Sequence, residues 1–167
     1  MVIEFFFVSL RTIINKTNTM KIQFLGAAQE VTGSKHLITT ESGKTILLDC
    51  GMYQGKGMET DAANRELGFD PKDIHYLLLS HAHIDHSGLI PYIYSLGFRG
   101  KIFCTPATRD LCELMLQDTA FIQEQDVRWY NKKMHRQHKP IIKPLFDTHH
   151  AQQVMKLFRT VDYNTTY

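Results

Sequence analysis

Four side chains able to ligate a metal ion fall within six residues of this chain: His81, His83, Asp85 and His86, inside the run Ser80-His81-Ala82-His83-Ile84-Asp85-His86-Ser87-Gly88. In an extended loop, alternate residues project to the same side, so His81 and His83 can both offer an imidazole to one ion. Asp85 and His86 lie on the next turn of chain and can serve a second ion nearby. Imidazole and carboxylate together suit zinc, manganese or a similar ion, and catalytic sites leave a position open for water. Two such ions roughly 3.5–4 Å apart would hold a hydroxide between them and stabilise both oxygens of an in-line displacement at phosphorus. Hydrolysis is therefore the chemistry this cluster suits.

The elements around the run place it where such chemistry is commonly built. The apolar stretch from His75 to Ser80, with its uninterrupted Tyr76-Leu77-Leu78-Leu79, reads as a strand buried on both faces. A helix is expected from about Asp85 to Leu96, stopped by Gly97, and a further strand over Lys101 to Cys104. The histidines thus sit where a buried strand ends and a helix begins, which is where α/β sites lie. Strand, helix and strand in succession imply a right-handed crossover. Upstream, Lys21 to Leu25, His36 to Thr40 and Thr45 to Asp49 read as a β-meander, with Glu41-Ser42-Gly43-Lys44 as the second hairpin turn. Downstream, Thr105-Pro106 is a strong helix start, and one long helix or two should fill 106 to 136. Pro140 and Pro144 bracket an extended piece, and Asp147 or Thr148 can cap one more helix through Phe158.

A length of 167 residues is one domain's worth of chain, or part of one, and 43% hydrophobic with 22% charged residues is an ordinary globular composition. The net charge of +2 does not by itself imply a nucleic-acid partner, so any electrostatic argument must be local. Cys50, Cys104 and Cys112 form no C-x-x-C pair, and an odd count indicates no disulfide framework; a reducing cytoplasm fits best. The apolar run Ile3 to Leu10 is interrupted by Glu4 and too short to span a bilayer, and its flanks are not those of a signal peptide. Residues 1 to 19 are expected to be an upstream extension contributing little to the core, with Met20 as the native start.

His81-x-His83-x-Asp85-His86 resembles the H-x-H-x-D-H signature of the metallo-β-lactamase superfamily, and Asp49 in Leu47-Leu48-Asp49-Cys50-Gly51 resembles the aspartate motif that precedes it. Three further stretches, Gly26 to Ser34, Leu48 to Gly55 and Leu89-Ile90-Pro91, resemble the β-CASP branch of bacterial RNA-processing ribonucleases related to the cleavage and polyadenylation endonuclease. Glyoxalase II and true β-lactamases are less similar here. The resemblance covers about residues 20 to 167 and is dense up to roughly Thr108. It implies the first half of an αββα sandwich, a mixed sheet led by the meander with helices on its outer face. It also implies two zinc ions, with manganese possible, bound by His81, His83, Asp85 and His86, an RNA substrate, and Asp49 as the group that orients the metal-binding loop.

Family members supply a third histidine for the first metal, an aspartate bridging both metals, and a β-CASP insertion beyond the point where this sequence stops. Residues 20–167 are thus expected to be the N-terminal part of the domain. An apolar sheet face would then be left exposed, and a second copy or a complementing C-terminal polypeptide would be a natural partner. The alternatives are a non-catalytic fragment or binding module, or a hydrolase of another substrate class such as a thioesterase. His149 and His150 fall in an expected helix and are not read as ligands. Arg128, Lys132, Lys133 and Arg136, beside Trp129 and Tyr130, could meet RNA, but a solvated helix face accounts for them. His135 and His138 read as surface residues, and His36 and the three cysteines as strand or core positions.

Overall fold

Alternating apolar and polar residues after Met20 produce three strands, β1 (Lys21–Gly26), β2 (Lys35–Thr39) and β3 (Thr45–Leu48), which pair as an antiparallel meander. The computed structural model describes residues 19–55 and 58–166, so the expectation for residues 1 to 19 falls, except for Thr19, outside the described residues. The β2–β3 turn closes as the sequence requires: Thr40 N and Gly43 N donate to Lys44 O and Thr40 O, and Gly43 takes φ +80°. The sheet then continues in parallel through β4 (Tyr76–Leu78), β5 (Lys101–Cys104) and β6 (Phe158–Thr160). Its six strands lie in chain order.

The helices are α1 (Met58–Arg65), α2 (Ile84–Ser87), α3 (Ile90–Ser95), α4 (Pro106–Arg136) and α5 (Thr148–Val154). Among them α4 forms a single helix of 31 residues, its Thr105 side chain accepting from Thr108 N with Pro106 in the first turn. α3 and α5 pack together, and α5 packs on α4. Between them and one face of the sheet lies the core, in which Leu47, Leu77 and Ile102 meet Ile90, Ile93, Phe98, Cys112, Leu116, Ala151 and Val154. No helix among the described residues is long and apolar enough to cross a membrane.

Three local expectations are corrected. The expected helix from Asp85 to Leu96 is two short helices. Leu89 N donates to Cys50 O, and the carbonyls of Asp85 and His86 accept from Ser34 N and Cys50 N, so bonds to neighbouring loops replace helical ones. Pro91 then has no N–H to continue the ladder. The last helix stops at Val154, passes through a 3-10 turn at Met155–Leu157, and gives way to β6, so Phe158 is a strand residue. Its ring is buried and its strand pairs with β5, which tertiary pairing decides and local propensity does not.

The third concerns β4. Leu77 and Leu79 are buried, but Tyr76 and Leu78 are not, because helices cover only one face of the sheet. The pairing register places Phe24, His36, Leu48, Leu78 and Phe103 in one row across the other face. In that row Phe24 is 67% exposed and Leu78 40%. An open apolar face of this kind was expected from the half-sandwich reading.

All three cysteines are buried, and desolvation pushes the thiols of Cys50 and Cys112 up to about 12 and that of Cys104 up to about 11. A thiol reagent attacks only the thiolate. At pH 8 Ellman's reagent is therefore expected to titrate no more than a trace of thiol in the folded chain and all three in guanidinium. Rapid reaction of one thiol without denaturant would contradict this burial.

Candidate metal centre

The parallel strands β3 and β4 end side by side, and their C-terminal extensions carry the whole cluster. Asp49 follows β3, and its backbone N–H donates to Leu78 O, which holds it level with the end of β4. Asp49 is 5% exposed and takes φ +58°, a conformation that costs a non-glycine residue about 1 kcal/mol. Its carboxylate explains why that conformation is retained. Oδ1 accepts from Ser80 N at 2.8 Å, and Oδ2 accepts from Ser80 Oγ at 2.9 Å and from His86 Nδ1 at 2.8 Å.

These bonds set the histidine tautomers. Because Asp49 Oδ2 accepts a hydrogen bond from the protonated His86 Nδ1, the lone pair of His86 is at Nε2, which lies 3.5 Å from Asp85 Oδ2. The single hydroxyl proton of Ser80 also goes to Asp49, so Ser80 Oγ accepts from His81 Nδ1 at 3.0 Å. That leaves the lone pair of His81 at Nε2, 3.2 Å from His83 Nδ1. The His81 ring packs against both neighbours, with centroids 4.8 Å from His83 and 4.1 Å from His86. Burial first, then the nearby His86 and His83, hold the His81 pKa below its ordinary value, which keeps the ring neutral and able to donate its lone pair near pH 7.

The donors thus fall into two pairs, His81 Nε2 with His83 Nδ1, and His86 Nε2 with Asp85 Oδ2. Two nitrogens bound to one tetrahedral zinc by bonds of about 2.0–2.1 Å stand about 3.3 Å apart, so the spacing of the first pair suits a shared cation. Among the described residues no group of three or more histidine, cysteine or carboxylate side chains is arranged to hold one ion. Imidazole and carboxylate are donor types that suit zinc, and here they come together only in pairs.

Backbone contacts brace the loop that carries these donors. Ile84 O, Asp85 O and His86 O accept from Met52 N, Ser34 N and Cys50 N. Gly51 passes so close beneath the loop that a Cβ there would lie 1.6 Å from Asp85 O. Lys35, which reasoning from sequence did not single out, is fully buried under the same loops. Its Nζ donates to Gly33 O at 3.1 Å and Gly51 O at 3.2 Å and stands 4.3 Å from the Tyr53 ring centroid. The signal was present in the period of β2, where Lys35 shares the inward side with Leu37. His149 and His150 lie in α5, where Asp147 caps the helix by accepting from His150 N, and they make no contact with the cluster.

A meander runs into parallel strands, and imidazoles and carboxylates gather at the strand ends. Residues 32–103 match the family described as the metallo-beta-lactamase superfamily. The chain is 44% identical over 106 residues to ribonuclease TTHA0252 of Thermus thermophilus, which covers 64% of this chain and 24% of the relative. It is 31% identical over 156 residues to the endoribonuclease ysh1 of Aspergillus fumigatus, covering 92% of the chain and 16% of the relative. It is also 30% identical over 147 residues to the transcription termination factor FttA of Methanothermobacter thermautotrophicus, covering 86% and 20%. The chain thus spans a quarter or less of the length of these relatives.

Proposed function

We propose that this chain carries the metal-binding part of an RNA phosphodiester hydrolase of β-CASP type. The observation that carries the reading is the pairing of donors at the ends of β3 and β4, with Asp49 setting the tautomers of His81 and His86. The relatives named as ribonucleases support RNA as the substrate. In this reading His81 and His83 hold one ion and Asp85 and His86 the other, zinc first and manganese as a substitute. The bound ions would supply an activated water and neutralise charge developing at phosphorus.

The chain's own residues do the positioning. By accepting from His86 Nδ1 directly and from Ser80 Oγ, which in turn accepts from His81 Nδ1, Asp49 keeps the proton of each ring on its inward nitrogen and leaves the outward Nε2 lone pairs available. Two protein ligands hold an ion weakly, since catalytic zinc sites use three. Further ligands would come from polypeptide outside this sequence or from a second copy. Three buried unpaired thiols suit a reducing cytoplasm.

The test combines metal binding with cleavage. Cobalt(II) titrated into the full chain is expected to produce visible d–d bands that lose about half their intensity in His83→Ala, which removes one of the two donor pairs, and labelled RNA is expected to be cut slowly in a metal- and His83-dependent way. A chain that shows no bands, or that cuts RNA equally well after His83→Ala, would refute the assignment.

A further inference from the structure

Charge is distributed very unevenly along this chain. Residues 127–146 contain six of its nineteen lysines and arginines, Arg128, Lys132, Lys133, Arg136, Lys139 and Lys143, together with His135 and His138, and none of its seventeen carboxylates. The other 147 residues carry thirteen basic against seventeen acidic side chains. The overall charge of +2 conceals this local excess.

The tertiary structure makes one surface of it. All eight basic or histidine side chains of the segment are exposed, and among the described residues only Arg128 has an ionic partner, Glu124 at 3.7 Å. After α4 the chain reverses through His138 at φ +53°, with Gln137 N and Lys139 N both donating to Met134 O. It then returns along the helix, clamped by Asn131: Nδ2 donates to Ile142 O at 2.8 Å and Oδ1 accepts from Ile142 N at 2.9 Å. Lys139 and Lys143 are thereby held beside the last turns of α4 instead of trailing into solvent.

Trp129 stands within this surface. It is the only tryptophan of the chain and is 69% exposed, with Lys133 Nζ 5.7 Å from the ring centroid and a hollow lined by Trp129, Lys132, Lys133, Arg136 and Gln137. A large aromatic ring left open to water among unpaired cations suits stacking on a base while the cations meet phosphates. At 1.5 Å per residue Trp129 lies roughly 35 Å along α4 from Pro106, so this surface is separate from the histidine cluster.

We propose that the last turns of α4 and the segment returning along them form a single-stranded RNA platform, with Trp129 stacking a base and Lys132, Lys133 and Arg136 contacting backbone phosphates. The choice of RNA rests on the hydrolase reading, but the binding is independent of metal.

The test uses the full chain in chelator with a uridine dodecamer. Emission from Trp129 reports the platform alone and is expected to be quenched on binding. Anisotropy of the labelled oligonucleotide is expected to show affinity falling about tenfold in Trp129→Ala, within the range for loss of one stacked base. In the triple variant Lys132→Glu, Lys133→Glu, Arg136→Glu, the log–log salt slope is expected to shrink by about 2, at ~0.7 per phosphate on a single strand. Trp129→Phe should retain most of the affinity, and all variants should melt with the wild type. No quenching, or equal binding by all variants, overturns the platform and leaves the His83-dependent cleavage test standing. Duplex DNA bound as tightly as RNA and indifferent to Trp129→Ala would also overturn it, in favour of a general polyanion patch. RNA binding that persists where metal binding fails would overturn the hydrolase reading alone.

Discussion

Asp49→Ala is expected to destabilise the fold by about 3–5 kcal/mol and to lower zinc affinity by about 10- to 100-fold. The carboxylate is 5% exposed and accepts three hydrogen bonds, from Ser80 N, Ser80 Oγ and His86 Nδ1. Alanine leaves the Ser80 amide and the His86 ring proton without their buried acceptor, at roughly 1–3 kcal/mol each. Relief of the positive φ does not follow, since alanine is no more at ease there than aspartate. The effect on zinc has a separate origin. With Asp49 gone, nothing holds the His86 proton on Nδ1 or sends the Ser80 proton away from His81, so the ligating nitrogens are no longer set. Urea unfolding and a zinc titration against a competing chelator measure the two losses. A variant that loses less than about 1 kcal/mol and binds zinc like the wild type would show that Asp49 only shapes the turn.

Gly51→Ala is expected to cost about 4 kcal/mol, near the upper end for a single substitution. The added methyl would lie 1.6 Å from Asp85 O and 2.8 Å from His86 N, and both obstacles are backbone, so no rotamer change relieves the overlap. The Asp49–Met52 segment or the histidine loop must move away. Either movement stretches the bonds from Cys50 N to His86 O at 2.7 Å and from Met52 N to Ile84 O at 3.0 Å. Gly43→Ala is the comparison: unlike Gly51 it has a positive φ, at +80°, but a Cβ there meets nothing within 4 Å, so backbone strain alone operates. Urea unfolding of the two variants sets the cost of steric overlap at Gly51 against that of backbone strain at Gly43. If Gly51→Ala costs no more than Gly43→Ala, the close approach under the loop does not constrain the site.

Much of the architecture could be read without coordinates because it depends on short-range chemistry. The alternation in β1 to β3, the glycine in the Thr40–Lys44 turn and the Thr105-Pro106 start of α4 each act within a few residues. The same holds for His81, His83, Asp85 and His86, whose spacing after an apolar strand was enough to select them as metal donors. Asp49 was found only because it falls in a motif, since a lone aspartate before a glycine has no local signature.

What the sequence determined by itself is therefore the set of candidate donors, the strand that delivers them and the order of the elements, because periodicity, capping and turn formation are local properties of the chain. The tertiary structure decided the rest. It split the expected helix after Asp85, because the amides of Ser34 and Cys50 bind that loop's carbonyls. It stopped the last helix and made Phe158 a strand residue, because β5 had an open edge for β6 to pair with. It buried Lys35 against Gly33 O and Gly51 O, and it left Phe24 and Leu78 in the open, because helices pack on one side of the sheet only. Each of these outcomes depends on a partner distant in sequence, and the energy of a long-range hydrogen bond or contact enters only when folding brings the two groups together.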